Sequence, residues 1–296
     1  MRQPHAKNGN LKSLLGLIPA TVVMLVFFVG ALLLCIVQSL GYAPQYGINQ
    51  FPTFQYYQAF LHDDGLWNSL GLTFYYAVVP TLIGAALSLF LSVAFAKAFK
   101  GRGFALFVYK IPLAVPYLVG VSIVILLFAN GGLFARFFYA IGVISSPGDF
   151  PRFLQNAEGW GIMMVYLWKQ VPFMTMMLYS NLLVLGREEE ESALLLGASS
   201  LQIFFYVTLP RLMPALVGST LIIFAFNFGS FEVPFILGAG YPNTLTVEAW
   251  RLFDDADYAR RPEAMAIVTF VTFVSSLSIL AYLVLYRRFE RKRGRV

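Results

Sequence analysis

Long apolar stretches, separated by shorter polar segments, dominate the pattern of this chain. A helix needs about 20 consecutive apolar residues to cross a hydrocarbon core about 30 Å thick. Lipid cannot satisfy open backbone groups, and the stretches do not alternate between apolar and polar positions, so they predict membrane-spanning helices and not barrel strands. The six predicted spans are residues 13–40, 67–96, 104–129, 160–185, 214–238 and 263–286.

The composition indicates the same class of protein. Of the 296 residues, 58% are hydrophobic and 12% are charged, whereas soluble domains carry roughly 25% charged residues. The sequence therefore predicts an all-α membrane protein with one six-helix domain, residues 13–286. A short N-terminal segment, residues 1–12, precedes this domain, and a basic tail, residues 287–296, follows it.

The lysines and arginines outside the apolar stretches fall mainly on one side of the predicted membrane. Fourteen of them lie in the N-terminal segment, the loop after the second stretch, the central loop and the tail, and five lie in the opposite loops. Because cytoplasmic loops carry the excess of basic residues, both termini are expected in the cytoplasm. Topology thus accounts for the net charge of +6, and no nucleic-acid partner is expected.

The chemistry that the sequence lacks limits its function. It has no Gly-x-x-x-x-Gly-Lys-Ser/Thr phosphate loop, so we expect it to bind no ATP by that device and to have no ATPase activity of its own. With one cysteine, Cys35, and two histidines, His5 and His62, a structural zinc site is excluded by ligand count. We therefore expect neither a metal nor another cofactor on this chain.

The central loop, residues 187–213, is the longest charged and amphipathic stretch between two apolar ones. It begins with four glutamates, residues 188–191, in a run of good helix formers where the helix dipole favours anions. Gly197 then permits a turn. A first short helix is therefore predicted between residue 188 and Gly197.

A second short helix is predicted directly after that turn. Ser199 and Gln202 have the spacing of a capping box, and the helix is expected to end near Leu209-Pro210. The two helices are expected at an angle, parallel to the membrane, either on lipid or in a groove of a partner protein. The glutamates favour a protein partner because an anionic lipid surface repels them. A solvated charge run is the remaining interpretation.

The order Glu191-Ser192-Ala193, Gly197 and Pro210 resembles the "EAA" loop of permease subunits of binding-protein-dependent ABC importers, with Ser192 where alanine is more common. The resemblance implies a type I ABC importer permease architecture and a short helix that sits in a cleft of the nucleotide-binding subunit. The ATPase-coupling residues that it implies are Glu190, Glu191, Ser192, Ala193, Gly197, Ala198, Phe204, Leu209 and Pro210.

The same resemblance implies partners and a location. Two ATP-binding subunits, which hold ATP and Mg, a second permease subunit and an external solute-binding protein would complete a transporter in the bacterial inner membrane. The segment 168–173 resembles the sugar and polyamine branches of the family, which implies a small polar solute of either kind. The alternative is a self-contained secondary transporter or channel, in which the central loop is only a lid.

Two charges, Lys169 and Glu232, fall well inside predicted spans and at comparable depths. An isolated charge costs about 2.5–3.5 kcal/mol or more at the bilayer centre, so both should face protein or water. We expect a salt bridge between them or a shared polar pathway. A purely structural pair, direct substrate contact and unpaired snorkelling are the open alternatives. The predicted substrate-pathway residues are Lys169, Gln170, Asn227, Ser230 and Glu232.

Overall fold

The structure is a computed structural model that describes residues 7–97 and 99–293. The predictions for the N-terminal segment and the basic tail therefore fall partly on residues 1–6 and 294–296, which lie outside the described residues. Within the described ranges the chain forms fourteen α-helices and one antiparallel hairpin, β1 (Tyr42–Ala43) and β2 (Ile48–Asn49). The helices are α1 (Lys7–Met24), α2 (Gly30–Ser39), α3 (Gln55–His62), α4 (Asp64–Ala96), α5 (Arg102–Ala114), α6 (Tyr117–Phe128), α7 (Leu133–Ala140), α8 (Trp160–Leu185), α9 (Glu188–Leu195), α10 (Ser200–Ile203), α11 (Leu209–Phe228), α12 (Glu232–Leu237), α13 (Leu245–Phe253) and α14 (Arg261–Arg293).

Short irregular turns join several of these helices. π-helical turns connect α1 to α2 at Leu25–Val29 and α10 to α11 at Phe204–Thr208. Single 3₁₀ turns lie at Pro44–Tyr46, Pro147–Asp149 and Tyr258–Arg260. Since a π turn widens the helix without ending it, α1 with α2 and α10 with α11 each form one longer rod.

Five helical segments in the described ranges are long and apolar enough to cross a membrane. They are Gly16–Ser39, Asp64–Ala96, Tyr117–Ala140, Ser200–Phe228 and Tyr258–Arg288. Helix α8, Trp160–Leu185, is 26 residues long and has the bounds predicted from the sequence, but Lys169, Gln170 and Asn181 make it more polar than the others. Length and composition thus support a mostly helical membrane protein with at least five crossings.

The described chain divides into two compact units, each of which is considered by itself. The first contains the described residues up to Asp63 together with Ala249–Phe270. Within it, the Arg261 guanidinium lies 4.7 Å from the ring centre of Tyr46 and 4.5 Å from that of Tyr258. Cation–π contacts of this kind hold the hairpin turn against the start of α14.

The second unit contains Asp64–Glu248 and the described residues from Val271 onwards. Helices α4, α8 and α11 pack against one another at its centre. Between helices in lipid there is little hydrophobic driving force, so small and hydrogen-bonding residues matter, as where Ser88 Oγ donates to the Val171 carbonyl at 3.0 Å. The buried apolar residues of the main cluster are Tyr76, Val121, Val124, Ile162, Val165, Tyr166, Val233 and Leu237.

The third predicted span, residues 104–129, is broken into α5 and α6. Val115 has extended backbone, with φ −82° and ψ 128°, because a following proline disfavours the helical conformation of the residue before it. Pro116 then caps α6. The sequence predicted the helical residues correctly but not the break.

The second short helix of the central loop does not end at Leu209-Pro210, so this part of the prediction was wrong. Helix α10 continues through the π turn Phe204–Thr208 into α11. Pro210 occupies the first turn of α11, where its missing N–H costs little because a widened turn precedes it. The central loop therefore contains one separate helix, α9, and the first turns of a long helix that reaches Phe228.

The fifth predicted span, residues 214–238, also ends earlier than expected. Helix α11 ends at Phe228, and residues 232–237 form the separate short helix α12. Glu232 is the first residue of α12 and is exposed, so its predicted position inside the fifth span was wrong. A glutamate in the first turn of a helix is stabilised by the helix dipole, which is a favourable contact for the Glu232 charge at the start of α12.

Candidate functional site

Helix α9 is a well-defined element of the central loop. Its first turn consists of Glu188, Glu189, Glu190 and Glu191, and the negative side chains complement the helix dipole. At its end, the Gly197 N–H donates to Leu194 O at 3.0 Å and the Ala198 N–H donates to Ala193 O at 3.1 Å. This pair of bonds is a Schellman motif. It requires a left-handed residue, which Gly197 supplies with φ +84°, and the predicted turn is confirmed.

The capping box predicted for the next helix is also confirmed. The Ser199 N–H donates to Gln202 Oε1 at 2.8 Å, and the Gln202 N–H donates to Ser199 Oγ at 3.4 Å. The two bonds satisfy backbone donors that the start of α10 would otherwise leave open. Local sequence thus fixes both the end of α9 and the beginning of the next helix.

Helix α9, the turn at Gly197 and α10 together form a corner. Its outer side is apolar and uncovered within the described chain. Leu195 and Leu196 are each 89% exposed and Tyr206 is 80% exposed. We call the surface formed by Leu195, Leu196, Leu201 and Tyr206 the docking face. A concavity of about 390 Å³ next to it is lined by Ala193, Leu196, Gly197, Ala198, Gln202, Ile203, Tyr206 and Val207. Exposed apolar patches bordered by charges are typical of protein interaction sites.

The predicted coupling residues do not all lie on this outer surface. Glu191, Ser192, Gly197 and Pro210 are exposed, whereas Ala193, Ala198, Phe204 and Leu209 are half-buried. Glu190 points inwards, and its carboxylate accepts a hydrogen bond from Thr208 Oγ1 at 2.6 Å.

Two residues that the sequence analysis did not identify bind α9 on the side that faces the helix bundle. They are Thr208, which donates to Glu190, and Arg211, whose Nε lies 3.3 Å from Glu189 Oε2 and whose guanidinium donates to Leu185 O at 2.5 Å. The sequence carries a signal for each. Thr208 is a polar residue in an otherwise apolar run, and Arg211 is an isolated cation that follows a cluster of glutamates by about one loop length.

A polar cluster lies inside the packed helices α4, α8 and α11. Gln170 and Asn227 pair through their side-chain amides, with Asn227 Nδ2 3.3 Å from Gln170 Oε1. Asn227 Nδ2 also donates to Thr81 Oγ1 at 3.1 Å. All three side chains are buried. Of the predicted pathway residues, the structure therefore brings Gln170 and Asn227 together and adds Thr81.

Ser230 and Glu232 lie outside this cluster. The Ser230 carbonyl accepts a hydrogen bond from Thr246 Oγ1 at 2.7 Å. Glu232 is exposed on α12. Among the five predicted pathway residues, the side-chain hydrogen bonds described above join Gln170 to Asn227.

The predicted salt bridge between Lys169 and Glu232 was wrong. Lys169 is 8% exposed, and its ammonium donates to the carbonyls of Pro112, at 2.6 Å, and Val115. In a continuous helix the N–H of residue 116 would bond to the carbonyl of Pro112, but Pro116 has no N–H. Lys169 supplies the missing donor at the break between α5 and α6.

Replacing Asn227 with leucine is expected to reduce stability by about 1–3 kcal/mol, because it leaves the buried amide of Gln170 without its partner. Asn181→Leu is the matched control, since the Asn181 side chain donates only within its own helix, to Met177 O at 3.2 Å, among the bonds described. Unfolding in detergent, followed by circular dichroism against denaturant, measures both. Equal midpoints for the two variants would contradict a helix-joining role for Asn227.

Within the described residues, no group of three or more His, Cys, Asp or Glu side chains could hold a metal ion.

Comparison with known proteins identifies relatives of the whole chain. A family model described as "Binding-protein-dependent transport system inner membrane component" matches residues 84–295. The chain is 26% identical over 302 residues to the trehalose/maltose transport system permease protein MalF of Thermococcus litoralis, covering 99% of this chain and 97% of that protein. It is 25% identical over 247 residues to the putrescine transport system permease protein PotI of Escherichia coli K12, covering 82% and 79%.

A solved structure has the same fold. The similar chain belongs to a crystal structure of a bacterial alginate ABC transporter in complex with an alginate pentasaccharide-bound periplasmic protein. The TM-score is 0.76 at 17% sequence identity, with 95% of each chain covered. At that identity the likeness concerns the fold alone.

Proposed function

The chain belongs to the family of binding-protein-dependent transport system inner membrane components, a family of ABC permeases, and we propose that it forms, with a second permease subunit, the pathway for a small polar solute in an ATP-driven importer. The single observation that carries the proposal is the docking face on and after α9. It is an exposed apolar corner held in a defined shape by a Schellman motif and a capping box. Such a corner suits a groove on a partner protein.

The partner at the docking face is an ATP-binding subunit, one of two in the complex. Those subunits hold ATP and Mg, and this chain supplies helix α9, which fits into a cleft of the ATP-binding subunit. The glutamates in the first turn of α9 favour a protein partner over an anionic lipid surface. An external solute-binding protein delivers the solute at the opposite face.

The proposed topology has six crossings with both termini in the cytoplasm. Helix α8 is the sixth crossing, because it is 26 residues long and its polar side chains Gln170 and Lys169 are turned into the protein. The excess of basic residues on the side of the central loop supports the same orientation.

The solute is a sugar-like or polyamine-like molecule. The relatives include permeases named for trehalose/maltose and for putrescine. Lys169 already donates to two carbonyls, so its charge is not offered to the solute in this conformation. The neutral amides of Gln170 and Asn227 would meet it when α8 and α11 move apart during the cycle.

The rival function is a secondary transporter or channel that works without an ATPase. Coupling to a proton gradient needs a titratable group in the pathway, and the one buried charge described in α8, Lys169, already donates to backbone carbonyls. This arrangement favours the importer.

The substitution Glu191→Lys tests the importer. It places a cation on the exposed side of α9 and is expected to lower the amount of ATPase that co-purifies with the permease by about tenfold, as for a contact worth about 1.4 kcal/mol. Glu188→Lys makes the same charge change in the same turn, outside the motif, and is expected to lower it less. Wild-type permease that accumulates solute alone in liposomes, driven by an ion gradient, would show that the rival is correct.

A further inference from the structure

Helix α9 is held only loosely by packing. None of its residues is buried. Two cavities, of about 130 and 230 Å³, lie beside it and share Val93, Lys97, Arg187, Glu190 and Thr208 in their walls. At its two ends the chain passes through Gly186, with φ +67°, and Gly197, with φ +84°. Glycines in this region of backbone space are the positions at which a rigid helix can turn with least strain.

Polar contacts from the π turn and from α11 therefore attach α9 to the helix bundle. Thr208 is 5% exposed, and its hydroxyl donates to the Glu190 carboxylate at 2.6 Å. A hydrogen bond to a charged group in a partly buried place is worth more than one between neutral groups. It joins the second half of the first turn of α9 to the last residue of the π turn.

Arg211 makes a second attachment one turn further along. Its side chain is 14% exposed, and its Nε lies 3.3 Å from Glu189 Oε2. The same guanidinium donates to Leu185 O at 2.5 Å, one of the last carbonyls of α8, which have no partner within their own helix. One side chain thus binds the end of α8 and the start of α9 to α11.

We propose that Thr208 and Arg211 form a latch through which a displacement of α9 is transmitted to α11, and that without them the displacement is absorbed at Gly186 and Gly197. The latch rests on the proposed function, since the displacement comes from the ATPase. Neither residue belongs to the motif that resembles the EAA loop. They are positioning residues, and the Glu189 and Glu190 carboxylates are their acceptors.

Helix α11 connects the latch to the polar cluster between α4, α8 and α11. Helix α11 runs from the latch to the polar cluster, and Asn227 lies 19 residues after Thr208, or about 28 Å along a helix that rises 1.5 Å per residue. A helix transmits axial displacement as a rigid rod. Movement of α9 would therefore reach the amide pair of Asn227 and Gln170 between α11 and α8.

The test uses the permease in its complex with the co-purified ATPase. In a Cys35→Ala background, spin labels are placed at Ile222→Cys in α11 and Leu133→Cys in α7, two exposed positions. The distribution of distances between the two spin labels is measured by pulsed electron paramagnetic resonance before and after trapping with ATP and vanadate. Hydrolysis and the amount of bound ATPase are measured on the same samples.

The expected result separates movement from hydrolysis. Thr208→Val and Arg211→Met keep the bound ATPase and its hydrolysis, but the fraction of complexes whose distance shifts falls about tenfold, as for loss of a hydrogen bond to a charged group. Thr208→Ser restores the hydroxyl and the shift. Thr220→Val is the matched control, because the Thr220 hydroxyl donates inside α11, to Leu216 O and Val217 O, and it leaves the shift unchanged.

Two other outcomes overturn the proposal. A shift of wild-type size in Thr208→Val and Arg211→Met, or one lost equally in Thr220→Val and Thr208→Ser, overturns the latch alone. A wild-type preparation that carries no ATPase overturns the proposed function, and the latch falls with it.

Discussion

Replacing Lys169 with methionine is expected to lower the free energy of unfolding by about 3 kcal/mol, because it leaves one buried and one partly buried backbone carbonyl without a donor. The acceptors are Pro112 O and Val115 O, at the break between α5 and α6. Methionine has nearly the length of lysine and is apolar, so the loss reports the hydrogen bonds more than packing. Unfolding of the permease in mixed detergent micelles, followed by circular dichroism, measures the effect.

Lys110→Met is the control for this prediction. Lys110 lies on α5, in the predicted span that carries the two acceptor carbonyls, but its side chain is exposed, so the same chemical change should alter the midpoint little. Equal midpoints for the two variants would show that the carbonyls at the break find other donors. A Lys169→Met permease of normal stability whose transport is lost would show instead that the ammonium serves the solute.

The sequence predicts this lysine as important, but for a different reason. The free-energy cost of an isolated charge in lipid indicated that Lys169 must have partners. Glu232, an opposite charge at a similar predicted depth, was the natural choice. The structure supplies neutral acceptors instead, the carbonyls of Pro112 and Val115 at the break that Pro116 causes. Which carbonyls a proline frees is local information, but which side chain reaches them depends on how helices distant in sequence pack. A single sequence does not contain that packing.

Predictions that rest on neighbouring residues in the sequence were more accurate. The bounds of α8, the turn at Gly197 and the capping box of Ser199 and Gln202 follow from hydrophobic length and from short-range hydrogen bonding, and each is confirmed. The errors concern continuity. A proline was expected to end the helix at Leu209-Pro210, and Gly229 was not expected to end α11. A proline in a first turn and a π turn before it look the same in sequence as a helix end.

The candidate site shows the same division. The residues of the EAA-like pattern could be proposed from the sequence because their spacing is local and specific, and their coupling role stays a prediction. Thr208 and Arg211 could not be proposed in this way, because each contacts a carboxylate about 20 residues away. Their partners were visible in the sequence only as a run of glutamates. In physical terms, the shape of the docking face is encoded locally, and the attachment of that surface to the bundle is encoded by tertiary contacts.

Gly197→Val is expected to reduce the ATPase retained on the purified permease about a hundredfold, since a β-branched residue held at positive φ costs up to about 3 kcal/mol and tenfold corresponds to about 1.4 kcal/mol. No atom lies within 4 Å of the place where a Cβ would stand at Gly197, so the penalty arises from φ +84° and not from a clash. The chain can escape it only by abandoning the Schellman motif. That change re-aims Leu195 and Leu196, the exposed centre of the docking face.

Gly71→Val separates backbone strain from the added side chain. Gly71 is an exposed residue of α4 with open space around its Cβ position and no positive φ, and valine in a helix is no worse than glycine. Retained ATPase should stay at the wild-type amount in this variant, measured by quantitative immunoblotting after affinity purification of the permease. Because Gly197→Val alters the shape of the corner while leaving every charge in place, loss in that variant alone would mean that the ATPase recognises the fold of the loop. Equal retention in both would mean that the acidic turn of α9 suffices, and that the apolar corner binds something else.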